Sequence, residues 1–184
     1  MRLFSTAVSA LIIGLLAPSG ARADGCSTID AMIETHFVFP PDQQCMAESP
    51  FGLCTVGTID SGPFAGTTRF TVKTLTSHPQ SGDVLRYTGV LVITTTSGST
   101  VTIHDRGVLF TMTGRFFEFE QVLRGTGSFM HAKGKLISQG EQTMNPPGFK
   151  GTLAGEVCIR GKHSGQSEHS GAAERTFDDE DSDE

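Results

Sequence analysis

The feature that most limits what this chain can fold into is the short interval between its glycines. From Cys54 onward, alternating apolar and Thr-rich stretches are cut at Gly57, Gly66, Gly89, Gly107, Gly125 and Gly134. Stretches of this length and composition are too short for core-forming helices and suit strands rich in Val, Ile, Thr and Phe. Thr67–Leu75 alternates, with Phe70 and Val72 on one face and Arg69, Thr71 and Lys73 on the other. Asp83–Thr96 is apolar on both faces at Val90–Ile93, and Gly89 within it reads as a bulge or bend. Ser97-Gly98 supplies a turn, so Thr88–Ile103 reads as a hairpin. Val108–Met112 then leads through Gly114 to Phe116–Glu120, and Lys135–Gln139 and Phe149–Ile159 bring the count to about eight strands. The fold class is therefore all-β. Glycines inside strands favour an antiparallel closed barrel over a sandwich, because closure removes exposed edges and needs sharp local curvature.

The N-terminus reads differently. Arg2, an apolar core at Ala7–Ala17, the break Pro18-Ser19-Gly20 and the small-x-small site Ala21-Arg22-Ala23 have the form of a signal peptide over residues 1–23. Its apolar core is far shorter than the roughly 20 residues that span a bilayer, so no membrane span is expected. The expected mature chain, Asp24–Glu184, is exported to the periplasm or beyond. Residues 24–53 read as a short helix plus an irregular segment. Ser27 can cap Thr28–Glu34, Ile29, Met32 and Ile33 share a helical face, and Pro40, Pro41 and Pro50 prevent continuation. The barrel domain is expected over 54–160, with 161–184 as an appendage.

Charge narrows the function classes. The chain carries 14 Lys and Arg against 20 Asp and Glu. Seven of the acids fall in Glu174–Glu184, beyond a Gly/Ser stretch that begins at Gly161, so the tail reads as disordered and acidic. The body is nearly neutral, with its bases scattered singly, and lacks the basic footprint of a nucleic-acid partner. Four Cys (26, 45, 54 and 158) with no CxxC or Cys/His cluster point to disulfides in an oxidising compartment and to no metal site. Three pairings are possible; the expected one joins Cys54 to Cys158 and Cys26 to Cys45.

No nucleophile, phosphate-loop or zinc-protease motif occurs, and no cofactor is implied. The candidate catalytic residues are Glu118, Glu120, His104 and His131. Glu118 and Glu120 share one strand face and could work as a carboxyl pair, but with Phe117 and Phe119 directed to the core they read as a solvent-facing pair. With the Phe residues outside against a partner, the two Glu would line the lumen instead; burial of Glu118 separates the two arrangements. His104-Asp105-Arg106 reads as a turn salt bridge, since adjacent strand residues face opposite ways. His131 lies on a Gly-rich loop that could reach a barrel mouth. Thirteen Phe in the whole chain, a single Tyr and no Trp suggest a Phe-lined interior. Phe70, Phe117, Phe119, Phe129 and Tyr87 are the residues that would meet a small apolar guest. The doubly apolar run Val90–Ile93 would also suit a homo-oligomer.

The stretch Arg124-Gly125-Thr126-Gly127-Ser128-Phe129-Met130-His131-Ala132-Lys133-Gly134 resembles the GGTGxFxxAxG loop of the allene oxide cyclase and dirigent superfamily, with Arg124 in place of the first Gly. Gly62–Thr67, Tyr87-Thr88-Gly89, Asp105-Arg106-Gly107 and Gly148–Leu153 resemble its other strand starts, so the likeness covers about Gly57–Ile159 and is strongest to exported bacterial members. The resemblance implies an eight-stranded antiparallel barrel with a lumen that can hold a small apolar molecule. It leaves two functional expectations: a non-enzymatic binding or structural module, or an isomerase or cyclase acting inside the barrel.

Overall fold

The computed structural model describes residues 25–39, 45–77 and 82–159. The expected signal peptide (1–23) and acidic tail (161–184) lie outside these described residues. Eight strands follow one another: β1 (Gly25–Phe37), β2 (Cys54–Ile59), β3 (Gly66–Ser77), β4 (Val84–Thr95), β5 (Thr100–Phe110), β6 (Arg115–Gly125), β7 (Ala132–Met144) and β8 (Pro147–Ile159). Each pairs antiparallel with its chain neighbour, and β1 returns to pair with β8, closing the barrel. Among the described residues no helix is long and apolar enough to cross a membrane.

The expected helix over Thr28–Glu34 is instead the middle of β1, so the barrel starts at Gly25 rather than at Cys54. Ile29, Ala31, Ile33 and Thr35 are buried, and the residues between them are exposed. Met32, expected on the helix's apolar face, points outward. The segment offers both periodicities, and the strand wins because β8 and β2 each need a partner along it. A second correction concerns β5. His104-Asp105-Arg106 is not a turn but the centre of a continuous strand, so Asp105 faces inward while His104 and Arg106 face out.

The interior has two halves. At one end Ile29, Ile93, Val101, Ile103, Leu136, Leu153 and Val157 pack around Phe64, whose ring meets Phe129 edge-on at 5.3 Å between centroids. The turn at Gly127–Phe129 carries Phe129 back over Gly125, where a Cβ would collide with it, so the Gly-rich loop seals this end. At the other end the packing stops short of filling the barrel. Eight strands give an interior that side chains can just fill or that can hold one small ligand. On the outside, Val90 and Val92 are half-buried, while Phe119 and Ile137, opposite one another across β6 and β7, are well exposed.

The two disulfides are Cys26–Cys158 and Cys45–Cys54, not Cys54–Cys158 and Cys26–Cys45. The reason is the extra strand. Because β1 lies against β8, Cys26 sits directly opposite Cys158. Cys54 faces outward on β2, where Val38 and Cys45 cover it in a small separate apolar cluster. Cys26–Cys158 spans 132 residues and Cys45–Cys54 only 9. In the chain-entropy treatment the long loop is worth about 5 kcal/mol and the short one about 2–3 kcal/mol. Replacing Cys26 and Cys158 by Ser should therefore lower the free energy of unfolding in denaturant titrations more than replacing Cys45 and Cys54; equal losses would count against the strand closure as the main constraint.

Candidate functional site

The unfilled end of the barrel holds a cavity of about 190 Å³. Its wall is apolar for most of its area: Leu75, Leu85, Leu91 and Leu109 from β3, β4 and β5, and the rings Phe37, Phe70, Phe116 and Phe149. Phe149 stacks edge-on with both Phe37 and Phe116 at 5.4 Å, forming an aromatic rim from β8, β1 and β6. Among the described residues that line it, none is Lys, Arg or His.

One sector of the wall is polar. Strand pairing sets Asp105 on β5 opposite Glu120 on β6, and Glu118 opposite both Gly107 on β5 and Ser138 on β7. All four side chains turn inward. Asp105, Glu118 and Glu120 each present an oxygen within 4.8 Å of the others. Asp105 is 2% exposed and Glu120 3%. Glu118 is only half-buried because it borders the cavity. The solvent-facing pair expected at Glu118 and Glu120 is therefore overturned. Phe117 and Phe119 take the outer face, their rings 4.9 Å apart, and neither lines the cavity.

Two glycines shape the wall beside this sector, Gly89 paired with Asp105 and Gly107 with Glu118. A Cβ at Gly89 would collide with the ring of Phe70, and one at Gly107 with the ring and hydroxyl of Tyr87. Each glycine thus provides a seat for an aromatic ring laid across the neighbouring strand. Seated over Gly107, Tyr87 donates its hydroxyl proton to Glu118 Oε1 at 2.6 Å. Phe70 meets Tyr87 edge-on at 6.1 Å, which fixes both rings.

The remaining polar atoms are poorly satisfied. Both oxygens of Glu120, Oδ1 of Asp105 and Oγ of Ser138 are buried without a hydrogen-bond partner. Burial raises the pKa of Asp105 and Glu120 well above the ordinary carboxyl range, and the neighbouring charge of Glu118 pushes both further. Burial also raises Glu118, with the Tyr87 hydroxyl opposing the shift. Tyr87 itself is held far above the ordinary phenol value, first by burial and then by the charge of Glu118. The cluster therefore holds protons that the same carboxyls would release in water. A carboxylic acid in this state can donate a hydrogen bond, or exchange its proton for a cation.

Of the other residues singled out in the sequence, Phe70 and Tyr87 line the cavity. Phe129 plugs the sealed end, and His131 sits on that sealed-end loop with φ +65°, away from the cavity. His104 points outward from β5. Asp105 and Ser138 are the site residues that sequence reasoning missed. In comparisons with family models, curated proteins and solved structures, nothing matches this chain.

The raised carboxyls give stability a definite pH dependence. Each binds its proton more tightly in the folded chain than in the unfolded one. Its contribution is whole below the unfolded carboxyl range near about pH 4 and is lost as pH rises toward the folded value. In thermal melts between weakly acidic and weakly alkaline pH, Glu120→Gln should flatten this fall and raise the midpoint at neutral pH by roughly 3–5 °C, the equivalent of about 1 kcal/mol. A melt profile identical to that of the parent protein would place Glu120 in water. Gly107→Ala should act the other way, unseating Tyr87 and lowering the midpoint at every pH.

Proposed function

We propose that this chain is an exported binding module whose barrel cavity holds a small, mainly apolar guest. The observation that carries this reading is the pairing of an apolar, aromatic-rimmed cavity with one compact polar sector. That combination is the usual form of a small-molecule site: apolar walls supply affinity and a few convergent polar groups fix orientation. The likeness of Arg124–Gly134 to the allene oxide cyclase and dirigent loop supports the same use of the interior. Export is supported by the form of residues 1–23 and by two disulfides, which persist in oxidising compartments.

The carboxyl cluster favours a second reading, an isomerase or cyclase. Acids that hold their protons above the ordinary carboxyl range in an apolar pocket can deliver a proton to a bound molecule, and a hydroxyl such as that of Tyr87 can orient it. The two readings differ in the fate of the guest.

Native mass spectrometry of the mature protein purified from an exporting host, followed by solvent extraction, tests the first reading. A reproducible, solvent-removable adduct is expected, and Leu109→Trp, which puts a large ring into the cavity wall, should abolish it while leaving the disulfides formed. A bare protein mass, together with no uptake of added apolar probes, would overturn the reading. Incubating the extracted guest with parent and Glu118→Gln proteins separates binding from chemistry. Conversion lost in the variant would establish an enzyme; an unchanged molecule would leave a binding module.

A further inference from the structure

The polar sector says more about the guest than that it is small. We propose that the guest is an organic ammonium, an apolar amine whose charged nitrogen lies among Asp105, Glu118 and Glu120 while its hydrocarbon body fills the apolar part of the cavity. This rests on the reading of the cavity as a binding site and specifies its ligand class.

Three observations converge on it. First, no basic side chain lines the cavity beside the three carboxyls that meet in its wall, so within the chain only their own protons neutralise them, and a cation that takes a proton's place comes from outside. Second, their acceptor atoms are turned inward and unused. Both oxygens of Glu120, Oδ1 of Asp105 and, independently of the acids, Oγ of Ser138, itself 1% exposed, have no hydrogen-bond partner. Third, the acids are close enough together to share one primary ammonium. Its three N–H groups, donating at about 2.8 Å along tetrahedral directions, reach acceptors roughly 4.6 Å apart. The three carboxyl oxygens lie within 4.8 Å of one another.

The rest of the wall argues for an organic cation over a bare metal ion. Calcium takes six to eight oxygen ligands and magnesium keeps several waters. Beyond the acids and the hydroxyls of Thr35, Thr55, Tyr87 and Ser138, this cavity offers hydrocarbon, including Leu91, Leu109 and the rings of Phe70 and Phe116. Such surfaces repay the burial of hydrocarbon at about 25 cal/mol per Å² and favour an ammonium near their ring faces. An anionic guest would meet charge of its own sign wherever one of the acids ionises, and a neutral alcohol would bring a single donor and no charge.

The experiment compares guests of one shape and different charge. The disulfide-intact protein is titrated at neutral pH by NMR, into the millimolar range, with 2-phenylethylamine, 2-phenylethanol, phenylacetate and calcium chloride. The amine should bind at least about tenfold more tightly than the alcohol, a difference of about 1.4 kcal/mol, with phenylacetate weakest. Glu120→Gln should weaken the amine several-fold and leave the alcohol within a factor of two. Asp105→Asn is the second variant should the first not fold, with the same pattern expected. An alcohol that binds as tightly as the amine would overturn the ammonium proposal and leave the cavity-binding reading standing. Calcium binding that excludes the amine would replace it with a metal site. Failure of all four ligands would remove both readings.

Discussion

Everything inside this protein depends on the pairing of the first described strand with the last. β1 runs against β8 from Gly25 opposite Ile159 to His36 opposite Gly148 and also carries β2 on its other edge. Without that double pairing the sheet would have two open edges and an interior exposed to water. With it, every inward side chain belongs to one enclosed space, and Cys26 faces Cys158 closely enough to be joined. The covalent link and the hydrogen-bonded ladder impose the same constraint, and both follow from residues 25–37 forming a strand.

Closure then makes the contents of the barrel a matter of volume. At one end Phe64 and Phe129 fill the cross-section; at the other, glycines at positions 89 and 107 replace side chains, and aromatic rings swing over them. The space left between those rings and the Phe116–Phe149 rim is the cavity. Of the carboxyls placed on its wall, Asp105 and Glu120 lose nearly all contact with bulk water and Glu118 part of it, and their protonation and unused acceptors follow from that burial rather than from any unusual backbone. A site of this kind costs stability at neutral pH, and the proposed cation would offset that cost on binding.

Much of this was legible in the chain. The all-β class, the closed barrel and the β4–β5 hairpin through Ser97-Gly98 follow from alternation and glycine placement. The first strand was not, because Ile29, Met32 and Ile33 satisfy a helical face as well as Ile29, Ala31 and Ile33 satisfy a strand face. Seven residues cannot decide between periods of 3.6 and 2. The wrong disulfide pairing followed directly from that ambiguity. The carboxyl cluster was hidden by β6, which is apolar on both faces. Phe117 and Phe119 drew attention to one face, although Phe116 and Val122 flank Glu118 and Glu120 in the same parity on the other. A comparable signal lay in Val101, Ile103 and Asp105, which alternate into the core once Thr100–Phe110 is taken as one strand rather than two.

Asp105, Glu118 and Glu120 share one sheltered, proton-holding site in the barrel wall. The most direct test is a carbon-13 NMR titration of the side-chain carboxyls, assigned through single Asp→Asn and Glu→Gln substitutions. Asp105 and Glu120 should stay protonated well past about pH 4, where ordinary carboxyls titrate, Glu118 should also titrate above that range, and substituting any one should shift the titration of the other two. Three independent titrations near pH 4 would place these carboxyls in water and contradict the sheltered site.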